Sequence, residues 1–118
     1  MVCLETHRVT LFLFAAKNAI QRGDIVIAAR KKNSDTLAQL GLLYRHQIEI
    51  LKGLTYRDYF NTLPPTDKDP EAWEFGVTEQ GQSIYIKLAL ITDRTGNEYL
   101  TCVSFHIATQ PITYPYKA

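Results

Sequence analysis

Residues 73–108, WEFGVTEQGQSIYIKLALITDRTGNEYLTCVSFHIA, decide the fold. Apolar and polar residues alternate from Trp73 to Thr78, from Ser83 to Thr92 and from Tyr99 to Ala108, the period of a half-buried strand. Glu79-Gln80-Gly81-Gln82 and Asp93-Arg94-Thr95-Gly96-Asn97 separate the three runs and supply turn residues. The pattern predicts a three-stranded antiparallel meander, or a larger sheet containing it.

Side chains alternate between the faces of a strand, so parity sorts them. Trp73, Phe75 and Val77, then Ile84, Ile86, Leu88 and Leu90, then Val103, Phe105 and Ile107 are expected on one face, beneath the helices. The other face then carries Glu74, Gly76, Thr78, Tyr85, Lys87, Ala89, Cys102, Ser104 and His106.

Upstream of the meander the chain reads as helical. Val9, Phe12, Leu13, Ala16, Ala19 and Ile20 follow one helix face from Val9 to Arg22, and Gly23 is a plausible stop. Leu11 and Phe14 widen the apolar arc, which predicts packing on more than one side. Asp24 to Ala29 fits either a strand or an extended connection. Ser34 is expected to cap a helix over Asp35–Leu40, ended by Gly41. A third helix is expected from Tyr44 to Lys52, burying Ile48 and Leu51, with Gly53 closing it. Thr55 and Asp58 form a capping pattern for a short turn through Tyr56, Tyr59 and Phe60. Helices first and strands second define an α+β class, with N-terminal helices on one face of a C-terminal antiparallel sheet.

The 118 residues suit one domain. It divides into a helical half (about 9–60), a Pro-rich loop (63–70), a β half (73–108) and a C-terminal tail (109–118). Thirteen basic and twelve acidic residues give a net charge of +1, so any grip on nucleic acid must come from local charge. Val9 to Ala16 is far short of the roughly 20 apolar residues that span a bilayer. No cleavable leader is evident, so a cytoplasmic protein without membrane association is expected. Cys3 and Cys102 form no CxxC pair and are read as reduced thiols, though a disulfide between them stays open. The histidines lack metal-ligand spacing, no nucleotide-binding glycine pattern exists, and neither a metal nor a cofactor is expected.

Glu74, Tyr85, Lys87 and His106 place a carboxylate, a phenol, an ammonium and an imidazole on three adjacent strands. Metal-independent RNA cleavage needs a base for the ribose 2′-hydroxyl and an acid for the leaving 5′-oxygen. It also needs hydrogen-bonding or cationic groups for charge on the phosphate. Glu74 as base, His106 as acid, Lys87 as charge stabiliser and Tyr85 as hydrogen-bond donor or stacking ring fill those roles; His106 as base is equally consistent. The exposed face of an antiparallel sheet is also ordinarily polar, and such residues commonly occupy it without chemistry. Arg30, Lys31 and Lys32 are candidate phosphate contacts or simply a solvated run. Tyr114 and Tyr116 either stack on RNA or cover a sheet edge.

The segments LKGLTYRDYF (51–60), Trp73-Glu74, IYIKL (84–88) and VSFH (103–106), with RKKN (30–33) and LAQLGL (37–42), have an ordered likeness. Together they resemble the MqsR-type toxins, the motility quorum-sensing regulator family. The resemblance implies a RelE-like fold and a sequence-selective, metal-independent mRNA endoribonuclease, the toxin of a type II toxin–antitoxin pair held by a cognate antitoxin. Tyr85 and Lys87 match the family's Tyr-x-Lys strand, and Tyr85 matches a proposed functional tyrosine. Asn61, Glu74 and His106 stand where the family's prototype has lysine, glutamine and lysine. The alternative is a non-catalytic binding or regulatory module on the same fold, such as a phage or mobile-element regulator, which the near-zero charge suits.

Overall fold

The computed structural model describes residues 4–117; Cys3 lies outside them. Helix α1 (Leu4–Arg22) leads into strand β1 (Ile25–Ile27), then helices α2 (Lys31–Leu40) and α3 (Tyr44–Lys52). A 3-10 turn at Tyr56–Asp58 precedes β2 (Tyr59–Leu63), β3 (Ala72–Glu79), β4 (Gln82–Thr92) and β5 (Glu98–Ile107). The strands form one mixed sheet in the order β1-β5-β4-β3-β2, and the chain is an α+β protein with its N-terminal helices on the sheet. The expected meander is its centre. Two edge strands flank it: β1, in the segment that fitted either a strand or a connection, runs parallel to β5, and β2, which the pattern does not announce, antiparallel to β3.

The core lies between the helices and one sheet face. Val9, Phe12, Leu13, Ala16, Ala19 and Ile20 of α1 cluster with Trp73, Phe75, Ile84, Ile86, Leu88, Leu100 and Phe105. Phe12 stacks on Trp73 with ring centroids 4.8 Å apart. Among the described residues nothing forms a second layer on the outer side of α1: Leu11 and Phe14 are 58% and 67% exposed, against the expected packing on more than one side. On α3, Leu51 is buried as expected, but Gln47 rather than Ile48 is the second fully buried residue.

The two-residue hairpin between β3 and β4 has Gln80 at φ 52° and Gly81 at φ 78°, the paired left-handed conformation that matches strand twist. Gly41, at φ 66°, ends α2 as expected, and its N–H donates back to the Ala38 carbonyl.

Parity fails at one place. Lys87 pairs with Ser104 and Leu88 with Cys102, so Val103 is the extra residue of a β-bulge. Cys102 therefore joins Leu88 and Leu100 in the core, while Val103 turns to the open face. Simple parity places both the other way round.

Helix α2 also departs from expectation. It begins at Lys31, and Ser34 is an interior residue whose hydroxyl bonds back to the Lys31 carbonyl at 3.2 Å. The earlier start sets Asn33 and Thr36 against the edge of β5 beyond the end of β1. Asn33 donates to the carbonyl of Val103 (3.2 Å) and accepts from the Phe105 N–H (3.0 Å), and Thr36 accepts from the Ile107 N–H (3.1 Å). Two buried polar side chains do the work of a missing strand, satisfying backbone groups that would otherwise be orphaned. Asn33→Ala should lower unfolding stability by about 1–3 kcal/mol, the cost of stranding a buried N–H, whereas Ser34→Ala should stay within about 0.5 kcal/mol. Urea unfolding checks this; equal midpoints for the two variants would refute the edge-capping account.

Candidate functional site

Residues of β3, β4 and β5 meet on the open face. Gly76 lies opposite Tyr85, and Tyr85 opposite His106; Glu74 lies opposite Lys87, and Lys87 opposite Ser104. A second bulge, at Phe60 between Tyr59 and Asn61, turns Phe60 toward the Tyr85 ring (6.1 Å between centroids) and pairs Asn61 with Glu74.

Glu74 is 9% exposed, and both its oxygens are engaged. Asn61 Nδ2 donates to Oε1 at 2.7 Å, and the Tyr85 hydroxyl donates to Oε2. A buried carboxylate needs such donors, because unpaired burial of charge is costly. Tyr85 is held protonated in return. Burial pushes its phenol well above the usual tyrosine range, the hydrogen bond and charge of Glu74 push the same way, and the Arg30 charge opposes them.

His106 packs its ring 5.3 Å from that of Tyr85, and its Nδ1 lies 3.0 Å from the Ile107 carbonyl. A carbonyl only accepts, so Nδ1 carries the hydrogen and Nε2 is left to take or give a proton. Arg30 reaches over the sheet edge and donates to Ser104 Oγ at 2.8 Å. That is the most useful outcome for the basic run: Lys31 pairs with exposed Asp35 at 2.7 Å, and Lys32 is exposed to solvent.

Glu74, Tyr85 and His106 line a cleft of about 260 Å³ with Phe60 and residues 108–112. Lys87 is on the same face but lines the neighbouring cleft instead. The tail forms one wall of the first cleft and crosses the sheet over Gly76. A Cβ there would lie 2.7 Å from Ile112 Cδ1 and closer still to the Tyr114 hydroxyl, so any other residue would push these side-chain ends aside. Beyond it Tyr116 stacks on Tyr59 at 6.0 Å. The tail aromatics are thus packed against the protein: Tyr114 over Gly76 on the open face, and Tyr116 with Tyr56 and Tyr59 on the core side.

Phe60, Asn61 and Ser104 were missed as site residues. Nothing local announces a bulge or a five-residue edge strand, although Asn61 and Phe60 stood in a segment already singled out. His46 accepts from the Leu43 N–H at 2.9 Å through Nδ1 and caps α3. Cys102 is fully buried and burial pushes its thiol up to about 12, which leaves it no nucleophilic thiolate. Among the described residues no group of three or more His, Cys, Asp or Glu side chains is placed to hold a metal ion, and no helix is long and apolar enough to cross a membrane.

Fold and site together define an α+β protein with a polar, strap-walled cleft on the sheet face opposite its helices. No protein-family model matches the chain, and neither a curated protein nor a solved structure is significantly similar to it.

The Tyr85–Glu74 contact has a pH signature. An unfolded tyrosine ionises near pH 10, while folded Tyr85 resists ionisation to a higher value. The stability it contributes is therefore whole below about pH 10 and is lost as pH rises toward the raised value. Urea unfolding at about pH 9 and about pH 11 should show a smaller alkaline loss in Tyr85→Phe than in the parent protein. Tyr59, Tyr114 and Cys102, also shifted upward, are common to both and cancel. Identical losses would mean that the phenol is not held neutral by this site.

Proposed function

We propose that the protein is a metal-independent mRNA endoribonuclease acting in the cytoplasm as the toxin of a type II toxin–antitoxin pair. The supporting observation is the chain His106–Tyr85–Glu74 along one cleft, with the Arg30 guanidinium fixed beside it. The likeness of its ordered motifs to MqsR-type toxins, and the RelE-like fold which that likeness implies, support the same reading.

The roles follow from what each atom is able to do. Glu74 is too enclosed to approach a ribose directly, so it acts through Tyr85. As the 2′-oxygen attacks phosphorus, its proton passes to the Tyr85 oxygen while the tyrosine's own proton passes to Glu74. Protonated His106 gives its Nε2 hydrogen to the departing 5′-oxygen, and a 2′,3′-cyclic phosphate remains. Arg30 and Lys87 face the charge that builds on the phosphate oxygens. Asn61, bonded to the other Glu74 oxygen, is a positioning residue.

A second reading draws on the saturation of Glu74. A carboxylate with both oxygens bonded is also how a sheet keeps a buried acid, and a non-catalytic binding module would need no more.

Purified protein given mRNA in excess EDTA should produce fragments ending in cyclic phosphate. His106→Ala and Tyr85→Phe should each slow the cut by about 100-fold. A rate unchanged in His106→Ala removes the imidazole from the mechanism. RNA that stays intact yet is retained by the protein favours the binding module.

A further inference from the structure

A second cleft, of about 340 Å³, opens on the same sheet face beside the first. Its floor is made by Ala72 and Ala89, which hold open-face positions on β3 and β4 yet are 4% and 1% exposed. What shields them is the Pro-rich loop, whose Pro64 and Pro70 form a wall. That loop is closed on itself: the Thr66 N–H donates to the Asp69 carbonyl at 2.8 Å, and the Asp69 N–H to Thr66 Oγ1 at 2.9 Å. The slot is thus preformed, and its volume falls within the range of small-molecule sites.

Two alanines where the neighbouring face positions carry Glu74, Tyr85 and Lys87 leave a gap with apolar floor and walls. Lys87 and Asp69 are the charged residues that line it. The step from Glu74 to Ala72 is two residues, about 7 Å along the strand. Lys87, paired with Glu74 across β3 and β4, stands at the junction of the two clefts.

We propose that this slot is a nucleotide subsite for the residue of the RNA strand next to the cleaved bond, an inference that rests on the RNA-cleaving reading of the first cleft. The base lies against Pro64 and Pro70 above the sealed alanine floor, and the phosphate joining the two nucleotides meets Lys87. Asp69 accepts hydrogen bonds and donates none when ionised, so it selects a base with an exocyclic amino group over uracil. Lys87 is then a specificity-determining contact as well as a source of charge.

Cytidine 3′-monophosphate and uridine 3′-monophosphate are the probes, followed by NMR of the Ala72 and Ala89 methyl groups. The cytidine nucleotide should shift both and bind more tightly than the uridine one. Lys87→Met should weaken it about tenfold or more, the scale of a charge-assisted contact. Asp69→Ala, a loop change remote from the core, should erase the preference between bases. A cleavage-resistant 2′-O-methyl RNA should displace the mononucleotide. Shifts confined to Ile112 and Phe60, equal binding by Lys87→Met, or failure of RNA to compete would each overturn the subsite. Because binding is read without cleavage, the two readings separate. A protein that holds the nucleotide here but spares RNA keeps the slot and loses the nuclease; one that cuts RNA without these shifts does the reverse.

Discussion

Phe75, Ile86 and Phe105 lie side by side across β3, β4 and β5, and all three are fully withdrawn from water beneath the helices. Burying one such side chain is worth about 1.5–3 kcal/mol, and a one-residue slip of any strand would turn its whole apolar set outward. The register is therefore held by several kcal/mol, comparable to the entire stability of a small domain. With that row fixed, Glu74, Tyr85 and His106 have only the other face to occupy. The site's geometry is a by-product of the core's packing.

This is why so much of the arrangement was readable from residues 73–108. The period of two is local, the turns carry their own chemistry, and parity carries the rest. Glu74, Tyr85 and His106 needed nothing more to be brought together. The helix over 44–52 and the Thr55–Asp58 cap were equally local, and both stand where their spacing placed them. What escaped was whatever depends on distant partners. β1 is three residues long and is a strand only because β5 lies beside it; β2 likewise depends on β3. Ser34 has the chemistry of a cap, but the start of α2 is set by Asn33 and Thr36 finding the open edge of β5, a tertiary demand that overrides the local preference.

The two bulges matter more than their size. Each inserts one residue where parity would allow none, and each sits next to the cleft. The bulge at Phe60 sends a ring to Tyr85 and brings Asn61 to Glu74; the bulge at Val103 returns Ser104 to the open face, where Arg30 finds it. Without the second, Phe105 could not share the core with Leu100 and Cys102, and one end of β5 would face the wrong way. A bulge re-aims side chains at the cost of one unpaired residue, which is a common device beside functional clefts.

A net charge of +1 suggests a surface with little attraction for RNA, but the sum hides the distribution. Among the described residues, Arg8, Arg22, Lys31 and Lys52 are spent on exposed carboxylates within their own neighbourhoods. Such pairs contribute little to stability and present little net field. Arg30 is tied instead to a neutral hydroxyl, and the negative charge nearest the cleft, on Glu74, is covered by Asn61 and Tyr85. Arg30 and Lys87 thus carry positive charge to the open face beside that covered carboxylate. For a ligand that approaches within a few ångströms, the local field of Arg30 and Lys87 outweighs the whole-molecule sum, since screening at physiological salt removes contributions from beyond about 8 Å.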